Sequence, residues 1–256
     1  MRPRIAFCLA IGTWMIAAAM QSSVYAQGEP PPAIAKPAAA TAQDLAFGRF
    51  IALIRGHLLT GDELAGQRDW EGASRHYGFP REEIYGIIRD DLRGYKTPPF
   101  DEALKALVRA AKARDIKQVQ RARARVEDAL TAADAGLRAK VPHWPRFVAA
   151  TSIAVLKSAP DEYDDAVVKG RIVRPIGYQT ARGFILQADK MFDGVAAELA
   201  GDNTAALSDI RAGFAQLKLA FPSVNAPKQA AIDYAAVLST VTNIAAAAAK
   251  LTDFSN

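Results

Sequence analysis

Across residues 43–251 the apolar side chains recur at three- and four-residue steps, and nowhere do apolar and polar residues alternate long enough to make a strand. That periodicity is interrupted mostly by proline- and glycine-bearing breaks. It restricts the chain to stacked helices, and predicts an all-α, multi-helix bundle of antiparallel helical hairpins.

The breaks set the spans. A first helix is expected over 43–66, with Ala46, Phe50, Leu53, Ile54, His57, Gly61 and Leu64 on one apolar face. A short helix over 70–77 follows. Pro80, with Glu82 and Glu83 behind it, reads as a new helix start, since proline suits the first turn and carboxylates favour the positive end of the helix dipole. That helix should end near Gly94, and another should occupy 100–113. Asp115 caps the next, which turns Ile116, Val119, Val126, Leu130 and Leu137 inward. Beyond the loop at Pro142 and Pro145, helices are expected over 146–158, 160–169 and 175–199. Asp202-Asn203-Thr204 caps one reaching Phe221, and an alanine-rich helix closes the chain over 228–251. Residues 115–156 and 204–238 both read as helix, proline-bounded loop, helix, which two αα-hairpins or a duplicated bundle would equally produce.

The first residues stand apart from this pattern. Met1-Arg2-Pro3-Arg4 is a basic start, Ile5 to Met20 is apolar and uncharged, and Val24-Tyr25-Ala26 has the small-x-small form of a cleavage site. We read 1–26 as a signal peptide that directs export to the periplasm, 27–41 as a Pro/Ala-rich tether, and 42–256 as the all-α helical domain. No integral membrane segment is expected after cleavage. The cut removes the only cysteine and leaves Met191 as the one methionine. Disulfides, thiolate catalysis and a Cys- or Met-rich Cu(I) site are thereby excluded. It also lowers the formal charge by two from +5, too small a balance for a nucleic-acid partner.

Chemistry concentrates in residues 56–85. There lie His57 and His76, two of the three histidines, among Trp70, Tyr77, Glu82 and Glu83. A helical hairpin could bring His57, His76 and Glu83 together as metal ligands, and two imidazoles with a carboxylate suit Zn²⁺ or Fe. Trp70 and Tyr77 would then line a ligand site with the two histidines. The plainer alternative is that a histidine on an apolar helix face is a hydrogen-bonded core residue. Leu64, Gly66, Trp70, Ala73, Tyr77 and Pro80 resemble one tetratricopeptide unit, and a single copy serves packing, since a groove needs an array.

Arg114, Lys117, Arg121 and Arg125 form a basic stripe along one helix. It is either a solvated face or a docking surface for a partner protein or an anionic membrane surface. Lys169, Arg171, Arg174 and Arg182 form a second basic group, which Asp161, Glu162, Asp164 and Asp165 just upstream can neutralise. The sequence contains no Gly-x-Ser-x-Gly, no His-Glu-x-x-His and no P-loop, and no catalysis is expected.

An exported, alanine-rich helical chain with Gly56-His57 near its start resembles the imelysin-like proteins. These are periplasmic or surface helical bundles linked to iron uptake. The family motif is Gly-x-His-x-x-Glu, whereas Gly56 directly precedes His57 here and Thr60 stands three residues on; the family's metal site is therefore not implied. Together these readings predict a soluble periplasmic ligand-binding or accessory protein, with the docking module as the alternative.

Overall fold

The structure is a computed structural model that describes residues 40–201 and 203–251. The expected signal peptide and the tether as far as residue 39 lie outside them. The described chain is an all-α bundle of ten α-helices with one two-stranded ribbon.

Helix α1 (Ala42–Gly66) opens with a capping box: Asp44 N donates to Thr41 Oγ1 at 3.1 Å, and Thr41 N donates to Asp44 Oδ2 at 2.8 Å. Helix α2 (Trp70–Phe79) runs on through a π-helical turn, Pro80–Tyr85, into the short α3 (Gly86–Ile88). The expected fresh start at Pro80 is thus a continuation. The wider π turn tolerates a proline, because there the missing N–H and the ring fall where the i→i−4 ladder is already interrupted. After a 3₁₀ turn at Leu92–Tyr95 come α4 (Asp101–Lys112) and α5 (Ile116–Arg138), the latter capped by Asp115, which accepts from Gln118 N at 3.0 Å.

The second half holds α6 (Trp144–Leu156), α7 (Ala159–Ala166), α8 (Pro175–Ala196), α9 (Thr204–Ala220) and α10 (Tyr234–Ala249). Two corrections to the sequence reading arise here, and they share a cause. Val167–Val168 and Arg171–Ile172 pair as antiparallel strands β1 and β2, turned through Lys169 and Gly170, both at positive φ. The loop before α10 then pairs onto that ribbon: Ile172 N donates to Lys228 O at 3.1 Å, and Ala230 N to Gly170 O at 3.0 Å. Residues 228–230 therefore satisfy their backbone groups across the ribbon, and α10 begins at Tyr234 instead of Lys228.

Packing divides the helices into two sets that share α1. Helix α6 packs on α8, α8 on α9, α9 on α10 and α10 on α6, which closes a ring of four. Phe192 meets Phe214 across α8 and α9 at 6.2 Å between ring centroids. In the other half α4 packs on α5 and α2, while α1 lies against α2, α5, α6 and α8. With neighbours on several sides, α1 buries Phe47, Ile51, Leu53, Ile54 and Leu58, whereas Ala46 is exposed. The single apolar stripe expected for α1 is replaced by near-complete burial because this helix is central. Ile116, expected inward, is exposed at the first turn of α5. The two helix-loop-helix echoes also differ in space. Helices α9 and α10 form a packed hairpin, whereas α5 pairs mainly with α4 and α6 with α8.

Candidate functional site

His57 on α1 and His76 on α2 face each other, with ring centroids 5.9 Å apart. Both are buried, at 4% and 0% exposure. Two phenylalanines close around them. Phe79, one turn on from His76, lies 5.2 Å from the His57 ring and 5.7 Å from that of His76, and Phe184 of α8 meets His57 edge-on at 5.0 Å.

Glycine lets α8 come this close. A Cβ on Gly56 would stand 2.7 Å from Phe184 Cδ1, and one on Gly183 would stand 2.6 Å from Gly56 O. The crossing is fastened by Thr60, whose hydroxyl is shared between Gly56 O at 3.2 Å and Gln179 O at 3.3 Å.

Gln179 fixes His76. Its side-chain Nε2 donates to Val224 O at 3.2 Å, and its Oε1 lies 3.2 Å from His76 Nε2. An amide oxygen can only accept, so His76 carries its proton on Nε2 and leaves Nδ1 as a bare lone pair. Neither His76 Nδ1 nor His57 Nδ1 has a hydrogen-bond partner. Burial, abetted by the neighbouring His76, pushes His57 down to about 3. Burial likewise lowers His76 to about 4, opposed by the Gln179 bond and by Asp69. Both imidazoles are neutral at ordinary pH.

The other candidate residues lie elsewhere. Glu83 is exposed on the π turn, and burial followed by its neighbour Glu82 raises its carboxyl above the usual range. Among the described residues no group of three or more His, Cys, Asp or Glu is placed to hold a metal ion. The expected His57, His76 and Glu83 triad is therefore not assembled, because the π turn carries Glu83 to the surface. Tyr77 is fully buried, packs on Gly61 and donates to Asp62 Oδ1 at 2.8 Å, away from the histidine pair. Trp70 is half-buried at the edge of the core. Phe79, Gln179 and Phe184 complete the cluster. Nothing in the sequence singles them out, since Gln179 is 103 residues from His76.

Two open clefts flank α2, one between it, α4 and the start of α8, the other between it and the start of α8. One, of about 310 Å³, is lined by Arg75, Phe79, Glu82, Lys112 and Ile176. The other, of about 560 Å³, is lined by Asp69, Glu71, Arg75, Arg174, Ile176 and Gln179. They share Arg75 and Ile176, and the lining of each includes a side chain that touches the histidine pair.

Charge is arranged mainly between helices. Asp62, Arg123, Glu127, Arg55 and Asp134 form a continuous chain of ion pairs at 2.9–3.1 Å that joins α1 to α5. Burial raises Asp62 despite the Arg123 guanidinium. Arg174 pairs with Asp165 at 3.2 Å, as the upstream acidic run suggests. Arg182 instead turns inward, donating to Glu63 Oε2 at 2.6 Å and to Phe221 O at 3.0 Å. Arg114, Lys117, Arg121 and Arg125 are exposed, and among the described residues none of the four makes an ion pair. No described helix is long and apolar enough to cross a membrane.

Comparison with known proteins bears on the second half of the chain. Residues 138–255 match the family model of the iron permease-associated 4-helix bundle domain. The matched stretch is less than half of the chain and contains the α6–α8–α9–α10 ring. This finding overturns the likeness to imelysin-like proteins, which rested on Gly56-His57, outside the matched residues. No curated protein and no solved structure matches the chain.

Proposed function

We propose that this chain is an exported accessory protein of an iron-uptake permease, without catalysis of its own. The observation that supports this reading is the coincidence of the matched stretch with a closed four-helix ring. An export signal at 1–26 would place such a protein in the periplasm, on the outer side of a permease. The reading is tested by radiolabelled iron uptake in source cells with and without the chain under iron limitation. Uptake should fall on deletion and return on re-expression. Unchanged initial rates would overturn the proposal. Intact mass of the protein from the periplasmic fraction checks export, with the expected N-terminus at Gln27.

A second reading, docking to an anionic membrane surface, is favoured by the exposed Arg114, Lys117, Arg121 and Arg125, which make no ion pair among the described residues. Co-sedimentation with anionic vesicles should then weaken as salt rises. Absent or salt-insensitive binding would refute it.

A further inference from the structure

We infer that His57 and His76 form a two-coordinate site for a monovalent d¹⁰ cation, Cu(I), held between their Nδ1 atoms. Three observations converge on it. The first is the orphaned nitrogens: two buried Nδ1 atoms, neither with a hydrogen-bond partner, belong to residues whose rings stand 5.9 Å apart. Buried polar atoms ordinarily find a partner, and a pair left bare at one place calls for an occupant. The span fits one ion, since two metal–imidazole bonds of about 2.0 Å, extended to the ring centres, reach about 6 Å.

The second is the tautomer. The relay from His76 through Gln179 to Val224 O keeps the proton on Nε2 and holds the Nδ1 lone pair free. Metal-bound histidines are typically oriented by such an outer hydrogen bond.

The third is the wall, which selects the charge. Phe79 and Phe184 supply ring surface and no anion, and among the described residues no third His, Cys, Asp or Glu joins the pair. Divalent Zn or Fe would need further ligands and would bury a double charge without a counter-ion, a penalty that grows with the square of the charge. A single positive charge between two neutral imidazoles suits this setting better, and imidazole is a competent copper ligand. The absence of a cysteine- or methionine-rich site elsewhere in the exported chain leaves imidazole as the donor. Phe79 also lines the 310 Å³ cleft, which places a solvent-open space beside one wall of the pair.

The site is independent of the iron-uptake reading, whose test uses cells and a different metal. The purified chain is titrated anaerobically with Cu(I) against a chromophoric chelator, with Ag(I) as a redox-inert substitute. One equivalent should bind. His57→Phe and His76→Phe, which fill the volume without the lone pair, should abolish binding with the helical circular dichroism retained. Gln179→Met keeps both imidazoles but frees the tautomer, and should weaken binding about 10–100-fold. Long-range ¹H–¹⁵N spectra of the unmutated chain should show both Nδ1 resonances moving on Ag(I) addition, which keeps the test open should a variant fail to fold. Failure of the folded chain to bind, binding undiminished in both histidine variants, or unmoved Nδ1 resonances would each overturn the site and leave a bridging water as its occupant.

Discussion

Replacing Gly183 with alanine probes the crossing on which the histidine pair depends. The new Cβ would stand 2.6 Å from the carbonyl oxygen of Gly56 and press on the Thr60 hydroxyl. Backbone cannot swing aside as a flexible side chain can, so α1 and α8 must part. Overpacking of this kind costs about 1–3 kcal/mol. The buried Thr60 hydrogen bond to Gln179 O, at 3.3 Å, would be strained or lost, which adds about 1 kcal/mol. Against these, alanine gains about 1 kcal/mol over glycine in a helix interior. The net loss is about 1–3 kcal/mol, which at about 2–4 °C per kcal/mol for a domain of this size lowers the thermal midpoint by roughly 5 °C. Gly194 lies in the same helix and has nothing within 4 Å of its own Cβ position. Gly194→Ala should therefore raise the midpoint by about 2–4 °C. Urea and thermal unfolding of the two variants decide the matter. Gly183→Ala as stable as the parent, or a shift of the same sign in both, would refute the close-approach argument.

Two further predictions concern buried polar groups. The histidines sit at about 3 and about 4 in the fold against 6.5 in an open chain. Their contribution is therefore present above pH 6.5 and is lost as pH falls from there to about 4 for His76 and about 3 for His57, the window in which the unfolded chain takes up protons and the folded one does not. Between pH 7 and 5.5 each should remove about 1 kcal/mol of stability, and His76→Phe should cut the histidine-dependent loss by half; stability that does not change over that interval would contradict the burial argument. Arg182→Met keeps the aliphatic stem but strips the donors from Phe221 O and Glu63. Urea unfolding should show a loss of about 1–3 kcal/mol, and an unchanged midpoint would mean that water replaces the guanidinium without penalty.

What the sequence discloses follows the range of the forces involved. Helices α4, α5, α8 and α9 are legible because their spans are set by local periodicity and by caps within three residues, such as Asp115 to Gln118 and Asn203 to Ala206. Pro80 misleads because a π turn absorbs it, and local chemistry cannot distinguish that from a helix start. Lys228 misleads because its segment is claimed by a ribbon almost sixty residues upstream. The meeting of His57 with His76 is foreseeable from hairpin geometry, since α1 and α2 are consecutive. Gln179 and Phe184 arrive on a helix a hundred residues later, and only the packing of α8 on α1 introduces them. Glu83 is close in sequence, yet a register change of one residue per turn suffices to send it to solvent.

Helix α1 lies outside the matched residues but is buried against both α6 and α8. The boundary along the chain and the boundary in space therefore do not coincide. A cut at residue 138 would bare the flank where Gly48 meets Phe147 and Gly56 meets Phe184. Any protein carrying the ring by itself must insulate that flank with something else. The ring's flank is thus completed by a helix drawn from outside the matched stretch, so the matched residues alone do not make up the packed unit.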